Sequence, residues 1–294
     1  MDEQCIGVMG ATSLVGECLL PLLTQTGAQV LAFSRRKHGQ TDGGVEWRQL
    51  FEMPSSPAPL PSGARSIKQW ICVAPIWVLP DYFGLLEMHG ALRLVALSST
   101  SRFTKDDSFD PEEQAVARRL AEAEMRVRAW AESKGVEWII LRPTLIYGRG
   151  RDKNIAEMAR FIRRFGFFPI FGRAGGLRQP VHADDVASAC VAALHTVAAT
   201  NQAYNLSGGE TLSYREMAAR VFSALGRNPK LLRVPLGLFR LAMAGIRWLP
   251  RYRHWSVAMA ERMNRDLLFD HADATRDFGF TPRQFLLEAK DLPG

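Results

Sequence analysis

The stretch that most constrains this chain is Val8-Met9-Gly10-Ala11-Thr12-Ser13-Leu14-Val15-Gly16. Before it, Cys5, Ile6 and Val8 read as a short buried strand; after it, Leu19, Leu20, Leu22 and Leu23 read as the inner face of a helix. A glycine-bearing turn from a buried strand into a helix builds an anion site, because the helix start offers unpaired N–H groups and a partial positive charge. Gly10 permits the tight turn, and Gly16 lets the helix approach the strand. Ser13 stands midway in the Gly-x-x-Ser-x-x-Gly spacing, where its hydroxyl can donate to a phosphate oxygen. Gly10, Thr12, Ser13, Leu14, Val15 and Gly16 are therefore candidate contacts to a pyrophosphate. The alternative is an ordinary strand–helix turn rich in small residues.

Further strand-like runs follow at intervals that alternate with helical patterns. Gln29 to Phe33 reads as a second strand, and Ser34-Arg35-Arg36-Lys37 sits at its C-terminal end. In a dinucleotide fold this point lies near the adenosine ribose. An acidic residue there would repel a 2′-phosphate, whereas a hydroxyl and three cations suit one. Ser34, Arg35 and Arg36 thus favour NADP(H) over NAD(H), the alternative being a solvated basic loop. Val45 to Leu50 is a candidate third strand, and residues 52–64 read as a Pro-, Ser- and Ala-rich loop. Trp70 to Ala74 forms a strand ending at Pro75, and Leu92 to Leu97 one ending in Ser98-Ser99-Thr100. Pro111 to Lys134 is a long charged helix with Val116, Leu120, Ala123 and Val127 on one stripe; Val136 to Leu141 is the next strand.

This alternation predicts an α/β fold with a parallel, doubly wound sheet, whose C-terminal strand ends line a ligand crevice. Ala74, Pro75 and the Ser98–Thr100 run are expected there, with Ala74, Pro75, Ser98 and Pro143 as the candidate cofactor contacts.

Composition narrows the function. At 294 residues with 47% apolar and 23% charged side chains, the chain suits one large domain or two interlocked ones. No apolar run reaches a membrane span. Acidic Asp2 and Glu3 argue against a secretory signal. The four cysteines, Cys5, Cys18, Cys72 and Cys190, lack metal-ligand spacing and read as small buried hydrophobes of a cytoplasmic protein; no metal is expected. The net charge of +7 suits phosphorylated ligands or anionic surfaces. No nucleic-acid motif is present, so the expected partner is a small-molecule substrate, with a homo-oligomer left open.

The order of Gly10-x-x-Ser13-x-x-Gly16, Ser98-Ser99-Thr100, Ala121-Glu-Ala-Glu124, Leu141-Arg-Pro-Thr-Leu-Ile-Tyr-Gly148, Gln179-Pro-Val-His-Ala-Asp-Asp185, Tyr204-Asn-Leu-Ser-Gly-Gly209 and Asn264-Arg-Asp-Leu-Leu-Phe-Asp270 resembles the NAD(P)-dependent epimerase/dehydratase family. That family is the extended and atypical part of the short-chain dehydrogenase/reductase superfamily. The resemblance covers nearly the whole chain. It implies a Rossmann domain over residues 1–150 with a returning segment at about 176–200, and a smaller substrate-binding part over 151–175 and 201–294. Local signals fit: Pro180 to Leu194 reads as strand then helix, with Asp184 and Asp185 favouring its dipole, and Ser213 caps a helix to Leu225.

Enzymes of this superfamily pair Tyr-x-x-x-Lys with a nearby Ser or Thr, the lysine cation lowering the phenol's pKa so that it can move a proton. The resemblance places Val116 and Leu120 at those two positions and Thr100, the candidate catalytic hydroxyl, at that of the Ser or Thr; no tyrosine lies between Tyr82 and Tyr147. Asp106, Asp107, Lys105 and Tyr147, the last conceivably with Lys153, are the nearest other proton carriers. The readings left open are an atypical NADP(H)-dependent reductase or epimerase, an NADP(H)-binding sensor or assembly protein without turnover, and a membrane-surface protein. By resemblance to nucleotide-sugar enzymes, Arg178, and with looser alignment Arg265, would contact a substrate diphosphate; the alternative is that Arg178 holds its own domain together. His182 reads as a satisfied core histidine. Leu236 to Leu249, with Arg240 and Arg247 on one face and Arg233, Arg251 and Arg253 flanking it, is too short to span a bilayer but could rest on anionic lipid or pack on its own domain.

Overall fold

The apolar runs of the first half become parallel strands because both of their faces are covered. The computed structural model describes residues 5–36, 41–50, 65–106, 108, 110–235, 237 and 257–294. The loop at 52–64, all of Leu236 to Leu249 except Gly237, and Lys37, Asp107, Arg251 and Arg253 lie outside the described residues.

The first strand, β1 (Cys5–Met9), leads into α1 (Leu14–Gln25), then β2 (Gln29–Ser34), a short β3 (Thr41–Asp42) and β4 (Val45–Gln49). Next come β5 (Gln69–Cys72), a 3-10 turn over Ile76–Tyr82, α2 (Phe83–Met88), β6 (Arg93–Leu97), the single turn α3 (Ser101–Thr104), α4 (Pro111–Lys134) and β7 (Glu137–Pro143). One eight-stranded sheet runs β12-β7-β6-β5-β1-β2-β4-β3, where β12 is Gln202–Leu206. All of its pairings are parallel except that of β3 with β4. This is the Rossmann-like doubly wound sheet. Its order reverses between β1 and β5, so the crevice opens above their C-terminal ends.

Alternating side chains divide between two apolar layers. Ile6 and Val8 of β1 join Val15, Leu19 and Leu23 of α1 on one face, together with α6 (Ala183–His195). Met9, Phe33, Trp70 and Leu94 join Leu120, Val127 and Trp130 of α4 on the other. The inner face of α1 is centred on Val15, Cys18, Leu19 and Leu23, with Leu20 and Leu22 only partly buried beside it. On α4 the buried line is Glu113, Ala117, Leu120, Ala123, Glu124, Val127, Trp130 and Ala131; Val116 is half-buried. The stripe read off the sequence is thus the buried one, wider by Ala117, Trp130 and Ala131, and it carries two carboxylates.

The remaining elements are β8 (Ile146–Tyr147), α5 (Ile155–Phe165), β9 (Phe168–Phe171), β10 (Leu177–Arg178), β11 (Val181–His182), β13 (Leu212–Ser213), α7 (Tyr214–Ala224), β14 (Leu231–Val234), α8 (Val257–Arg262) and α9 (Ala272–Phe278). Ser213 caps α7 in a reciprocal box with Glu216. They build two smaller apolar clusters around Tyr147, Ile162, Phe222 and Phe285, and around Ile170, Phe171 and Met263. Within the segment expected to return to the main sheet, β11 pairs only with β8, and α6 packs against α1. The strand that extends the sheet is β12, beyond residue 200.

Candidate active site

The β1–α1 turn forms because Gly10 takes φ +80°, a conformation that disfavours any side chain, with the Ser13 N–H bonded to the Gly10 carbonyl at 2.9 Å. The space behind Gly10 is filled by protein: a Cβ there would lie 2.3 Å from the Ala74 nitrogen. Gly16 is needed for a related reason, since its Cβ would meet the carbonyl oxygens of Gly10 and Ala11 at 2.5 Å. So Gly16 clears the turn itself, where the sequence suggested helix–strand packing more generally. Ser13 is the N-cap of α1; its Oγ accepts from the Gly16 N–H at 3.1 Å and donates to the Val73 carbonyl at 3.4 Å. Its hydroxyl thus caps the helix and ties the turn to the end of β5. Thr12 is exposed and Leu14 half-buried, while Val15 faces the core. The first-turn amides are the donors that helix geometry leaves unused.

At the end of β2, Ser34 is buried and its Oγ accepts from the Arg36 N–H at 3.1 Å. Arg35 and Arg36 are exposed, and the Arg35 carbonyl accepts from Gln49 at 3.4 Å. Ser34 therefore shapes the bend that turns two guanidinium groups outward. These residues fit a dinucleotide: a helix N-terminus at the switch point, and cations one strand away.

The ends of β6 and β7 are joined by side chains. Thr100 is buried, its N–H and Oγ1 both reaching the Pro143 carbonyl, at 3.1 and 3.2 Å. Ser98 donates from Oγ to Glu124 at 2.6 Å. Glu124 is 1% exposed and also receives Arg142 and Arg102. Sequence reading missed this carboxylate, although its place on an apolar helical stripe is the signal that could have found it. Val116 and Leu120 pack in the apolar layer with Ala74, Ile76 and Trp77.

A cavity of about 650 Å³ opens between this edge and the smaller clusters. Ser99, Thr100, Ser101 and Lys105 line one side, Thr144 to Ile146 its floor, and Met158, Phe161, Phe168, Phe171, Tyr214 and Met217 the other. Neither Val116, half-buried, nor Leu120, buried, lines it, so they present no wall to a ligand in this cavity. Its volume lies in the range of small-molecule sites. Burial pushes the Tyr214 phenol up to about 12, with Arg178 pulling the other way. Burial, then the neighbouring Arg262, holds the Lys105 ammonium below its usual range. The shift keeps the Tyr214 phenol protonated at neutral pH.

Three candidates from sequence occupy other roles. Arg178 reaches the cavity, but its guanidinium donates to the carbonyls of Leu177 and Arg265, each at 2.7 Å, and of Arg262. Arg265 is exposed and does not line the cavity; Arg262, paired with Glu113, does. The diphosphate clamp expected from Arg178 and Arg265 is therefore not assembled. Tyr147 is fully buried against His182 and Phe285, away from Lys153 and the cavity lining. His182 accepts at Nδ1 from the Asp184 N–H at 3.1 Å, so Nε2 carries the proton that faces Asp291 at 3.0 Å. Burial pushes the thiols of Cys18, Cys72 and Cys190 up to about 12, which leaves them inert as nucleophiles. Among the described residues no helix is long and apolar enough to cross a membrane, and no group of three His, Cys, Asp or Glu could hold a metal ion.

Residues 85–207 match the profile of the NAD dependent epimerase/dehydratase family. The UDP-glucose 4-epimerase of Vibrio cholerae is 27% identical over 47% of this chain and 42% of its own length. The chain spans less than half the length of the first curated relatives it matches. The 2-alkyl-3-oxoalkanoate reductase of Stenotrophomonas maltophilia (strain K279a) is 25% identical over 94% of both chains. Among solved structures, MoeE5 in complex with UDP-glucose and NAD superposes with a TM-score of 0.66, at 20% identity, covering 96% of this chain and 94% of that one. This last likeness concerns the fold.

Proposed function

We propose that this chain, a member of the NAD dependent epimerase/dehydratase family, binds NADP(H) at the β1–α1 turn and reduces a carbonyl group held in the cavity beside Thr100. The observation that carries the reading is the shared edge: Ser99 and Thr100 end β6 next to the crevice and line the cavity at the same time. The bound cofactor would supply a hydride. Gly10 and the first turn of α1 would receive the pyrophosphate, and Arg35 and Arg36 the 2′-phosphate. Thr100 would orient a carbonyl oxygen by turning its hydroxyl from the Pro143 carbonyl, 3.2 Å away, toward the substrate. Tyr214 and Lys105 both present protons to the cavity, which suits protonation of a developing alkoxide and so the reductive direction. The reductase relative that spans nearly the whole chain supports this choice over epimerisation.

A second reading has its own observation. Val116 and Leu120 are apolar and sit in the core, so the helix face where family enzymes carry their proton-transfer pair has none here. On that reading the protein binds NADP(H) and does not turn it over, acting as a sensor or assembly partner. Following NADPH absorbance with purified protein and a panel of apolar ketones, oxo acids and nucleotide sugars separates the two. Substrate-dependent oxidation supports the reductase. NADPH binding with no oxidation across the panel supports the non-catalytic role.

A further inference from the structure

We propose that the cavity is built for an amphipathic organic anion, with one anionic group against Lys105 and an apolar body along the wall of Phe161, Phe168, Phe171 and Met158. This rests on the reading of that cavity as the substrate site.

The charge balance points to an anion. The lining contains Lys105, Lys153, Arg178 and Arg262 against a single carboxylate, Glu157. The cations are not equivalent. Arg262 is paired with Glu113, and Arg178 spends its donors on backbone carbonyls. Lys153 is exposed to solvent. Lys105 is half-buried; Asp110 attracts it, but it forms no contact ion pair among the described residues. A partly desolvated ammonium outside a contact ion pair is stabilised by an incoming anion more than an exposed one is.

The number of charges is limited by the same facts. A diphosphate asks for two or more strong donors converging from the protein. Here Arg178 donates to backbone carbonyls, Arg262 is ion-paired with Glu113 although its buried Nη1 makes no hydrogen bond, and Arg265 lies outside the cavity. One cation remains on the buried side, which matches a monoanion such as a carboxylate.

The opposite wall offers carbon. Phe161 and Phe168 meet edge-to-face with centroids 5.7 Å apart, and Met158 and Met217 fill between α5 and α7. Sugar hydroxyls placed there would lose their water partners without replacement, at a cost that an alkyl chain does not incur. The flexible thioethers suit a chain of variable shape.

The test is calorimetric titration of the full chain with decanoate, octanoate, decanol and UDP-glucose, in the parent and in Lys105→Gln. The expected result is decanoate binding at least tenfold tighter than decanol or UDP-glucose, and weakening by roughly fourfold for each methylene removed toward octanoate. Lys105→Gln should lower decanoate affinity about tenfold and leave decanol unchanged. Melting curves of the variant confirm that it folds, and if it does not, the chain-length series and the decanoate–decanol comparison on the parent decide alone. UDP-glucose binding tighter than decanoate, equal affinities for decanoate and decanol, or a folded Lys105→Gln that binds decanoate like the parent each overturn the proposal. NADPH titrated into the same protein reports separately on the functional reading. NADPH binding without decanoate binding removes the anion site alone; decanoate binding without NADPH binding removes the cofactor assignment and leaves the anion site standing.

Discussion

Arg142 closes a two-pronged grip on Glu124, its Nε 3.0 Å from one carboxylate oxygen and a terminal nitrogen 2.7 Å from the other. The first residue lies near the end of β7, the second in the middle of α4. Through Ser98 and Arg102 the same carboxylate also reaches the end of β6 and the turn of α3. Four segments that border the crevice are thus tied to one buried charge. The planar fork of arginine makes this geometry specific as well as strong.

Removing that charge should loosen the crevice as a unit. Glu124→Ala leaves two guanidinium groups without their partner in a largely buried place, and should cost about 3–5 kcal/mol of stability. Glu124→Gln keeps the shape and should cost less. Denaturant unfolding of the three proteins checks the order; equal stabilities would show that the network is not a structural tie.

Restoring the superfamily's pair should not restore its chemistry. Val116→Tyr with Leu120→Lys would put a phenol and an ammonium into the layer formed with Ala74, Ile76 and Trp77. An ammonium there, without hydrogen-bond partners, would lose its charge or destabilise the fold by several kcal/mol. The double variant should melt well below the parent and show no gain in NADPH oxidation. A stable variant with raised turnover would mean that this face does look onto the reacting atoms.

The C-terminal segment should respond to acid. Burial opposes ionisation of Asp291, but the bonds from His182 and from the N–H groups of Glu288 and Arg149 outweigh it and hold the carboxyl below its usual range. A depressed carboxylate pKa contributes stability that is full above the ordinary value of 3.8 and is lost as pH falls through the folded value. Asp291→Asn should therefore cost about 1–3 kcal/mol at neutral pH and flatten the loss of stability as pH falls below that ordinary value. The same acid slope in parent and variant would contradict this.

What the sequence disclosed follows from how local each signal is. The β1–α1 turn was legible because its glycines, cap and flanking apolar residues all fall within one short stretch. The parallel sheet was legible because Ile6–Met9, Val30–Phe33 and Leu94–Leu97 are continuous apolar runs buried on both faces. Arg178 was not, because two of the three carbonyls that occupy it lie 84 and 87 residues away, and nothing local signals a backbone acceptor. The cavity was invisible for the same reason: its sides come from α3, α5, β9, α7 and the residues after α8. Glu124 fell between these cases. Its helical stripe was readable, but its partners Ser98 and Arg142 become neighbours only when β6 and β7 pair.

The account depends most on a dinucleotide seated between the β1–α1 turn and the arginines after β2. Its most direct test is calorimetric titration of NADPH and NADH into the parent and into Arg35→Ala, a substitution on an exposed side chain that leaves the turn untouched. The account predicts saturable NADPH binding, tighter than NADH by about 1–3 kcal/mol, the range for a charged hydrogen bond, with most of that gap lost in Arg35→Ala. Absence of NADPH binding, or equal affinity for the two nucleotides in the parent, would contradict it.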